Sequence, residues 1–141
     1  MNKRSNMKSD PRYSSESVFD TFPWPQTPSP KLVVAVATAA KNLRAIRNAA
    51  LVGVQGGLRV LYKTLDLPGK KNPLRDAHAA LDAAVLNAYG FSAKKDLLQQ
   101  ILDLNIAVGA RIEAGSMVNA PGIPTGFPKP AALISTDSIG D

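Results

Sequence analysis

The chain has 141 residues, a formal net charge of +6 and no cysteine, which is the size of one domain and leaves out disulfides and thiolate metal sites. Its start is polar and basic, and its most apolar run, residues 32–40, is too short to span a bilayer. We therefore expect a cytoplasmic protein with no secretory leader and no membrane contact.

Prolines divide the chain into three parts. Nine of the eleven prolines precede position 31 or follow position 120, and the residue before a proline favours an extended backbone. The pattern predicts an N-terminal arm (1–28), a helical domain (29–116) and an irregular tail (117–141). No segment alternates with period two, so we expect an all-α fold: a small bundle of three to four helices with an extended Pro-rich N-terminal strap.

The N-terminal arm contains a polar stretch and an aromatic strap. The polar stretch has side chains of the types that bond phosphate oxygens, although a plain polar turn is the alternative; they are Lys8, Ser9, Arg12, Tyr13 and Ser14. The strap follows at residues 18–26, and four of the chain's eight aromatic residues lie between Tyr13 and Trp24. Because prolines 23 and 25 stiffen it, we expect Phe22 and Trp24 to dock on the helices.

Two helix starts carry the same signature, a capping residue followed by proline. Ser29 precedes Pro30 and predicts a helix over 30–52, which Gly53 ends. Asn72 precedes Pro73 and predicts a helix over 73–89, with Gly90 as its left-handed stop. Apolar residues recur on one face of each helix; they are Leu32, Val36, Ala39, Leu43, Ile46 and Ala50 in the first, and Leu74, Ala77, Leu81, Ala84, Val85 and Ala88 in the second.

Two further helices complete the prediction. A short one spans 58–65, and another spans 93–114, with Ser92 as its cap and Gly115 as its stop. The second has Leu97, Ile101, Leu104 and Val108 on its inward face. Short connections favour antiparallel neighbours, so the helices should form one bundle.

Positive charge is concentrated between positions 31 and 75. Nine basic residues stand there against one acid, a local balance of +8, which indicates a polyanionic partner or else a solvated helical face. On the first helix, two of these cations lie opposite the apolar face and a third at its border. The candidate DNA-binding residues in this region are Lys41, Arg44, Arg47, Lys63, Lys70 and Lys71.

Several segments resemble one family in the same order. They are K-S-D-P-R-Y-S at 8–14, V-F-D-T-F-P-W-P-Q at 18–26, N-P-L-R-D-A-H-A-A-L-D at 72–82 and A-Y-G at 88–90. Together they resemble the C-terminal region of the MmeI-like N6-adenine DNA methyltransferases of type II restriction–modification systems. The resemblance runs over residues 7–139 but covers only the tail of a much longer enzyme.

The resemblance implies the end of a target-recognition domain followed by a C-terminal helical domain. It further implies double-stranded DNA as a partner, the catalytic portion acting in trans, and S-adenosylmethionine as a cofactor of the parent enzyme but not of this chain. The setting would be a restriction–modification or phage-defence system.

The sequence lacks the motifs that methyl transfer requires. Gly53–Gly57 follows a helix rather than a strand, and Phe22-Pro23-Trp24-Pro25 lacks the polar acceptor and the Pro-Pro pair of the tetrapeptide that holds a flipped adenine. His78 is the only histidine, and we expect it to be packed and hydrogen-bonded. We therefore assign no catalytic or metal-binding residue to this chain. The alternatives are a free-standing basic helical module that binds nucleic acid or protein, and a gene remnant.

Overall fold

The computed structural model of the chain describes residues 22–69, 71–136 and 138, and throughout these residues the regular structure is helical, with no strand. Four α-helices follow one another, α1 (Pro30–Val52), α2 (Gly57–Lys63), α3 (Pro73–Tyr89) and α4 (Leu97–Glu113). Single 3-10 turns lie at Thr64–Asp66 and Pro130–Leu133. The predicted all-α class is confirmed. None of the described helices is long and apolar enough to cross a membrane.

The two cap-and-proline signatures place α1 and α3 at the predicted residues. The Ser29 hydroxyl accepts a hydrogen bond from the Leu32 amide at 3.4 Å. The Asn72 side chain accepts from the Leu74 amide at 3.0 Å and the Arg75 amide at 3.2 Å. At the other end of α3, Gly90 has φ +72°, the left-handed conformation that glycine adopts without strain.

The predicted start of α4 at residue 93, with Ser92 as its cap, is wrong. The helix begins at Leu97, and the Asp96 carboxylate caps it by accepting from the Leu98 amide at 3.0 Å. The Gln100 side chain accepts from the Ser92 amide at 2.8 Å and donates to the Ser92 carbonyl at 3.0 Å. The Ser92 carbonyl also accepts from the Lys95 amide at 3.2 Å, so the chain turns here, and the hydrogen bonds of α4 begin at the Asp96 carbonyl, which accepts from the Gln100 amide at 3.1 Å.

The core lies where α1 packs against α3 and where α2 closes over one end of the pair. Leu61, Leu74 and Ala77 are the buried apolar side chains of the described helices, at 5 %, 2 % and 3 % exposure. The apolar residues predicted for the inner face of α1 are all half-buried. The predicted inner faces of α1 and α3 are thus in place, but the core that they form is thin. On α4, Leu97, which was predicted to face inward, is 48 % exposed.

Helix α4 packs more loosely than α1 and α3. Few close backbone approaches join it to the other described helices, and it faces the strap and the tail across a groove of about 330 Å³ lined by residues 22–24 and 118–121. Leu97 and Ile101 of α4 also line an open groove together with Leu81 and Val85 of α3. The expected small bundle is therefore confirmed, with α1 and α3 closely packed and α4 joined to them more loosely.

Candidate nucleic-acid interface

The candidate cations of α1 share one side of the helix. At about 100° per residue, Lys41, Arg44 and Asn48 fall within an arc of about 60°, and Arg47 lies about 60° further round. Lys41 is exposed, whereas Arg44 and Arg47 are half-buried. The apolar face packs against α3 on the opposite side, so packing fixes the direction in which the basic side points.

Two of these arginines line an open pocket together with the tail. Arg44, Arg47, Asn48 and Thr136 surround a space of about 500 Å³. No sequence pattern indicated Thr136, which lies 88 positions after Asn48 and reaches the pocket only through the path of the tail. Two guanidinium groups, a carboxamide and a hydroxyl in one pocket are donors that suit phosphate oxygens.

Arg47, one of the residues lining this pocket, has an unsatisfied donor. Its Nε is buried and has no hydrogen-bond partner, and an unpaired buried donor costs about 1–3 kcal/mol. A guanidinium that turned into the pocket towards an anion would gain the bond that Nε now lacks. This orphaned donor is the feature of the described residues that most directly indicates an anionic ligand.

Arg75 contributes to the local charge balance but holds the fold together. Its Nε donates to the Leu65 carbonyl at 3.0 Å, and its Nη2 donates to the carbonyls of Leu65 at 2.5 Å and Leu67 at 2.6 Å. These bonds satisfy carbonyls that follow α2 and tie the Thr64–Asp66 turn to the start of α3. One of the nine positive charges in this region therefore serves the fold and is not available to a ligand.

The remaining candidate DNA-binding residues fall into two groups. Lys63 at the end of α2 and Lys71 before α3 are exposed, and no described contact joins either of them to the arginine pocket. The others lie outside the described residues; they are Lys8, Ser9, Arg12, Tyr13, Ser14 and Lys70. The structure thus brings together Arg44 and Arg47, with Lys41 beside them on the same side of α1.

The strap lies against the helices, but its most buried residue is Pro23, which stands between the two expected residues, Phe22 and Trp24. Pro23 is buried, Trp24 is half-buried and Phe22 is 44 % exposed. The Tyr89 hydroxyl donates to the Pro23 carbonyl at 2.8 Å, and burial raises the pKa of this phenol above its ordinary value of 10.0. Trp24 lines the groove against α4 and also an apolar cavity of about 200 Å³ against α1.

The carboxamide side chains of Gln26 and Asn119 connect the strap to the tail by hydrogen bonds. The Asn119 side chain donates to the Pro25 carbonyl at 3.0 Å and the Gln26 carbonyl at 2.9 Å. The Gln26 side chain accepts from the Asn119 amide at 3.0 Å, and donates to its carbonyl at 3.2 Å and to the Trp24 carbonyl at 2.8 Å. The two residues are 93 positions apart, and no local pattern marks either of them.

His78 is packed and hydrogen-bonded, as expected. Its Nε2 lies 3.1 Å from the Tyr62 hydroxyl, and the two rings meet edge to face with centroids 5.4 Å apart. The contact joins α2 to α3. In the described part of the chain, no three His, Cys, Asp or Glu side chains come together as metal ligands would.

In comparisons with protein-family models, with curated proteins and with solved structures, nothing matches the chain.

Proposed function

We propose that this chain is the non-catalytic, DNA-binding helical part of a site-specific adenine-N6 DNA methyltransferase. We further propose that the basic side of α1 binds the phosphate backbone of duplex DNA. The observation that carries the DNA-binding proposal is the pocket of Arg44, Arg47, Asn48 and Thr136 with its unsatisfied Arg47 Nε. The methyltransferase setting, in a restriction–modification or phage-defence system, rests on the resemblance of the segments at 8–14, 18–26, 72–82 and 88–90.

The pocket favours phosphate over base edges as its ligand. Guanidinium groups bond phosphate oxygens in pairs, and such contacts position a protein on DNA without reading its sequence. Lys41 extends the cationic side along α1 and is exposed. Binding should therefore be weak, independent of DNA sequence and sensitive to salt.

The proposal leaves cofactor binding and methyl transfer to a catalytic portion acting in trans, in the cytoplasm. The sequence has neither the Gly-containing loop for S-adenosylmethionine nor the catalytic tetrapeptide. We therefore expect this chain alone to transfer no methyl group to duplex DNA. If calorimetric titration showed that this chain alone binds S-adenosylmethionine with micromolar affinity, the proposed assignment of cofactor binding to the catalytic portion would be contradicted.

The DNA-binding test is a fluorescence-anisotropy titration of a labelled duplex at several salt concentrations. Each phosphate neutralised contributes about −0.9 to the slope of log affinity against log salt. The variant Lys41→Gln/Arg44→Gln/Arg47→Gln should flatten the wild-type slope by about two to three units. Weaker binding with an unchanged slope would mean that no phosphate contact had been lost.

A matched control removes the same charge elsewhere. Lys94, Lys95 and Lys129 are exposed and lie outside the arginine pocket, so Lys94→Gln/Lys95→Gln/Lys129→Gln lowers the net charge equally. We expect this control to retain most of the wild-type slope. If both variants flattened the salt-dependence slope equally, the change would be due to the overall charge of the protein, and the proposed interface would be refuted.

A further inference from the structure

An open apolar groove lies between the second half of α3 and the start of α4. Its volume is about 540 Å³, and we call it the α3–α4 groove. Aliphatic side chains of both helices line it together with the rings of Tyr89 and Phe91, which stack with centroids 4.9 Å apart. Exposed Asp82 is the one charged residue in its described lining. Because Leu97 in this groove is 48 % exposed, the described residues leave part of an apolar surface uncovered.

The strap runs towards this groove when it is followed back from Trp24. Trp24 lines the groove beside the second half of α4, whereas Phe22 lines both that groove and the α3–α4 groove. Between these two residues the chain therefore passes from the second half of α4 towards its start. The described part of the strap begins at Phe22, so the residues that immediately precede it join the described chain beside the uncovered apolar surface.

The sequence before Phe22 supplies an aromatic side chain at a suitable spacing. Phe19 is the aromatic residue nearest to Phe22 among residues 1–21. Because Phe22 precedes a proline, it favours extended or polyproline backbone. Polyproline backbone has three residues per turn and a rise of about 3.1 Å, so residues 19 and 22 share one side and lie about 9 Å apart. This distance exceeds one turn of α4, about 5 Å, so Phe19 can reach the groove lining at the start of that helix.

We propose that Phe19 fills the α3–α4 groove, with its ring against Leu97 and Ile101. The three-residue period that places Phe19 on the side of Phe22 turns Asp20 to a different side. The Asp20 carboxylate therefore stays in water, where a charged group avoids the cost of burial in an apolar lining.

The covalent connection selects this occupant. A side chain that is three residues away from the groove lining has an effective concentration on the order of millimolar, which exceeds that of a second copy in dilute solution. The polar stretch at 8–14 ends five residues before Phe19, so docking keeps its end within about 18 Å of the groove. The contact uses α3 and α4 and does not depend on the proposed DNA-binding side of α1.

Methyl NMR of the full chain tests the docking. Phe19→Leu keeps an apolar side chain but removes the ring, whose magnetic field displaces the signals of the methyl groups that it contacts. The methyl signals of Leu97 and Ile101 should therefore move in this variant, while those of Val34 on α1 should stay. The control Tyr13→Leu removes a ring from the same arm and should move neither set. Unchanged signals of Leu97 and Ile101 in Phe19→Leu would overturn the proposal. Groove signals that shift with protein concentration would also overturn it, because a second copy would then occupy the groove.

A double-mutant cycle provides a second measurement. In urea titrations, Phe19→Ala should raise the equilibrium constant of unfolding about tenfold, as expected for a large apolar side chain that is partly buried. Leu97→Ala already weakens the contact, so in that background Phe19→Ala should raise the constant only about threefold. The matched background Val52→Ala truncates an apolar residue that is 90 % exposed at the end of α1, and there the effect should remain about tenfold. Equal effects in the two backgrounds, or no effect of Phe19→Ala at all, would show that Phe19 does not lie in this groove.

Discussion

The hydrogen bonds between the strap and the tail offer a direct test of how this small fold is held together. Asn119→Ala removes the side chain that donates to the Pro25 and Gln26 carbonyls at 3.0 and 2.9 Å. The Asn119 backbone bonds to the Gln26 side chain are left in place by the substitution itself. The variant therefore isolates two hydrogen bonds at the point where chain segments far apart in sequence meet.

The magnitude follows from the two lost bonds. A neutral hydrogen bond contributes about 1 kcal/mol net, and both carbonyls are only partly buried, so water can replace part of the loss. We expect Asn119→Ala to lower the free energy of unfolding by about 1–2 kcal/mol. For a domain of this size, that corresponds to a fall in Tm of roughly 4–8 °C.

Urea and thermal unfolding followed by circular dichroism would measure the change. Gln99→Ala is the matched control, because the Gln99 carboxamide makes a single exposed bond to Asp103 at 2.8 Å and should change stability by less than about 0.5 kcal/mol. In a double-mutant cycle, Asn119→Ala and Gln26→Ala should couple by about 1 kcal/mol, since each holds the strap for the other. A loss for Asn119→Ala no larger than that of the control would refute the reasoning.

Three further substitutions test other contacts by the same unfolding measurements. Trp24→Ala should cost about 2 kcal/mol, below the roughly 3–5 kcal/mol of a fully buried ring, because Trp24 is half-buried; an unchanged Tm would show that the strap is not docked. Arg75→Gln should cost about 2 kcal/mol, since the carbonyls of Leu65 and Leu67 lose a charged donor. The control Lys71→Gln removes an exposed cation and should leave the stability nearly unchanged. Equal losses in the two variants would contradict the role of Arg75 in holding these carbonyls. The raised pKa of Tyr89 means that the folded state holds this proton more tightly than the unfolded chain, so stability should fall as the pH rises from about 10 towards the folded-state value. Tyr89→Phe should lose about 1 kcal/mol at neutral pH with its bond to Pro23 and show a smaller alkaline decline; identical declines in wild type and variant would exclude this tyrosine as their source.

The sequence by itself determined the fold class and the ends of the two packed helices. Ser29 with Pro30, and Asn72 with Pro73, act on amides within three residues along the chain, and Gly90 acts on the carbonyls just before it. Such local hydrogen bonds form in the same way whatever the rest of the molecule does. The apolar faces of α1 and α3 were predictable for a similar reason, because a helical period has only one side on which these residues can meet a neighbour.

The start of α4 shows where local information fails. Ser92 and Asp96 are both good capping residues, and the sequence between them permits a helix from either one. In the folded chain the Ser92 carbonyl accepts from the Lys95 amide in a turn, and the helix begins after Asp96. The Gln100 side chain stabilises this turn by bonding both backbone groups of Ser92 from eight positions away.

The candidate site was predictable only in part, because its members come from distant segments. The spacing of Arg44 and Arg47 on α1 placed them near each other, but the path of the tail brought Thr136 to the same pocket. Asn119 meets the strap across 93 positions, and Arg75, which the sequence analysis only counted in the charge balance, donates to two backbone carbonyls. Capping and periodicity act over one or two helical turns, whereas these contacts exist only after α1 and α3 have packed and the tail has crossed the strap. Only the tertiary structure decides them.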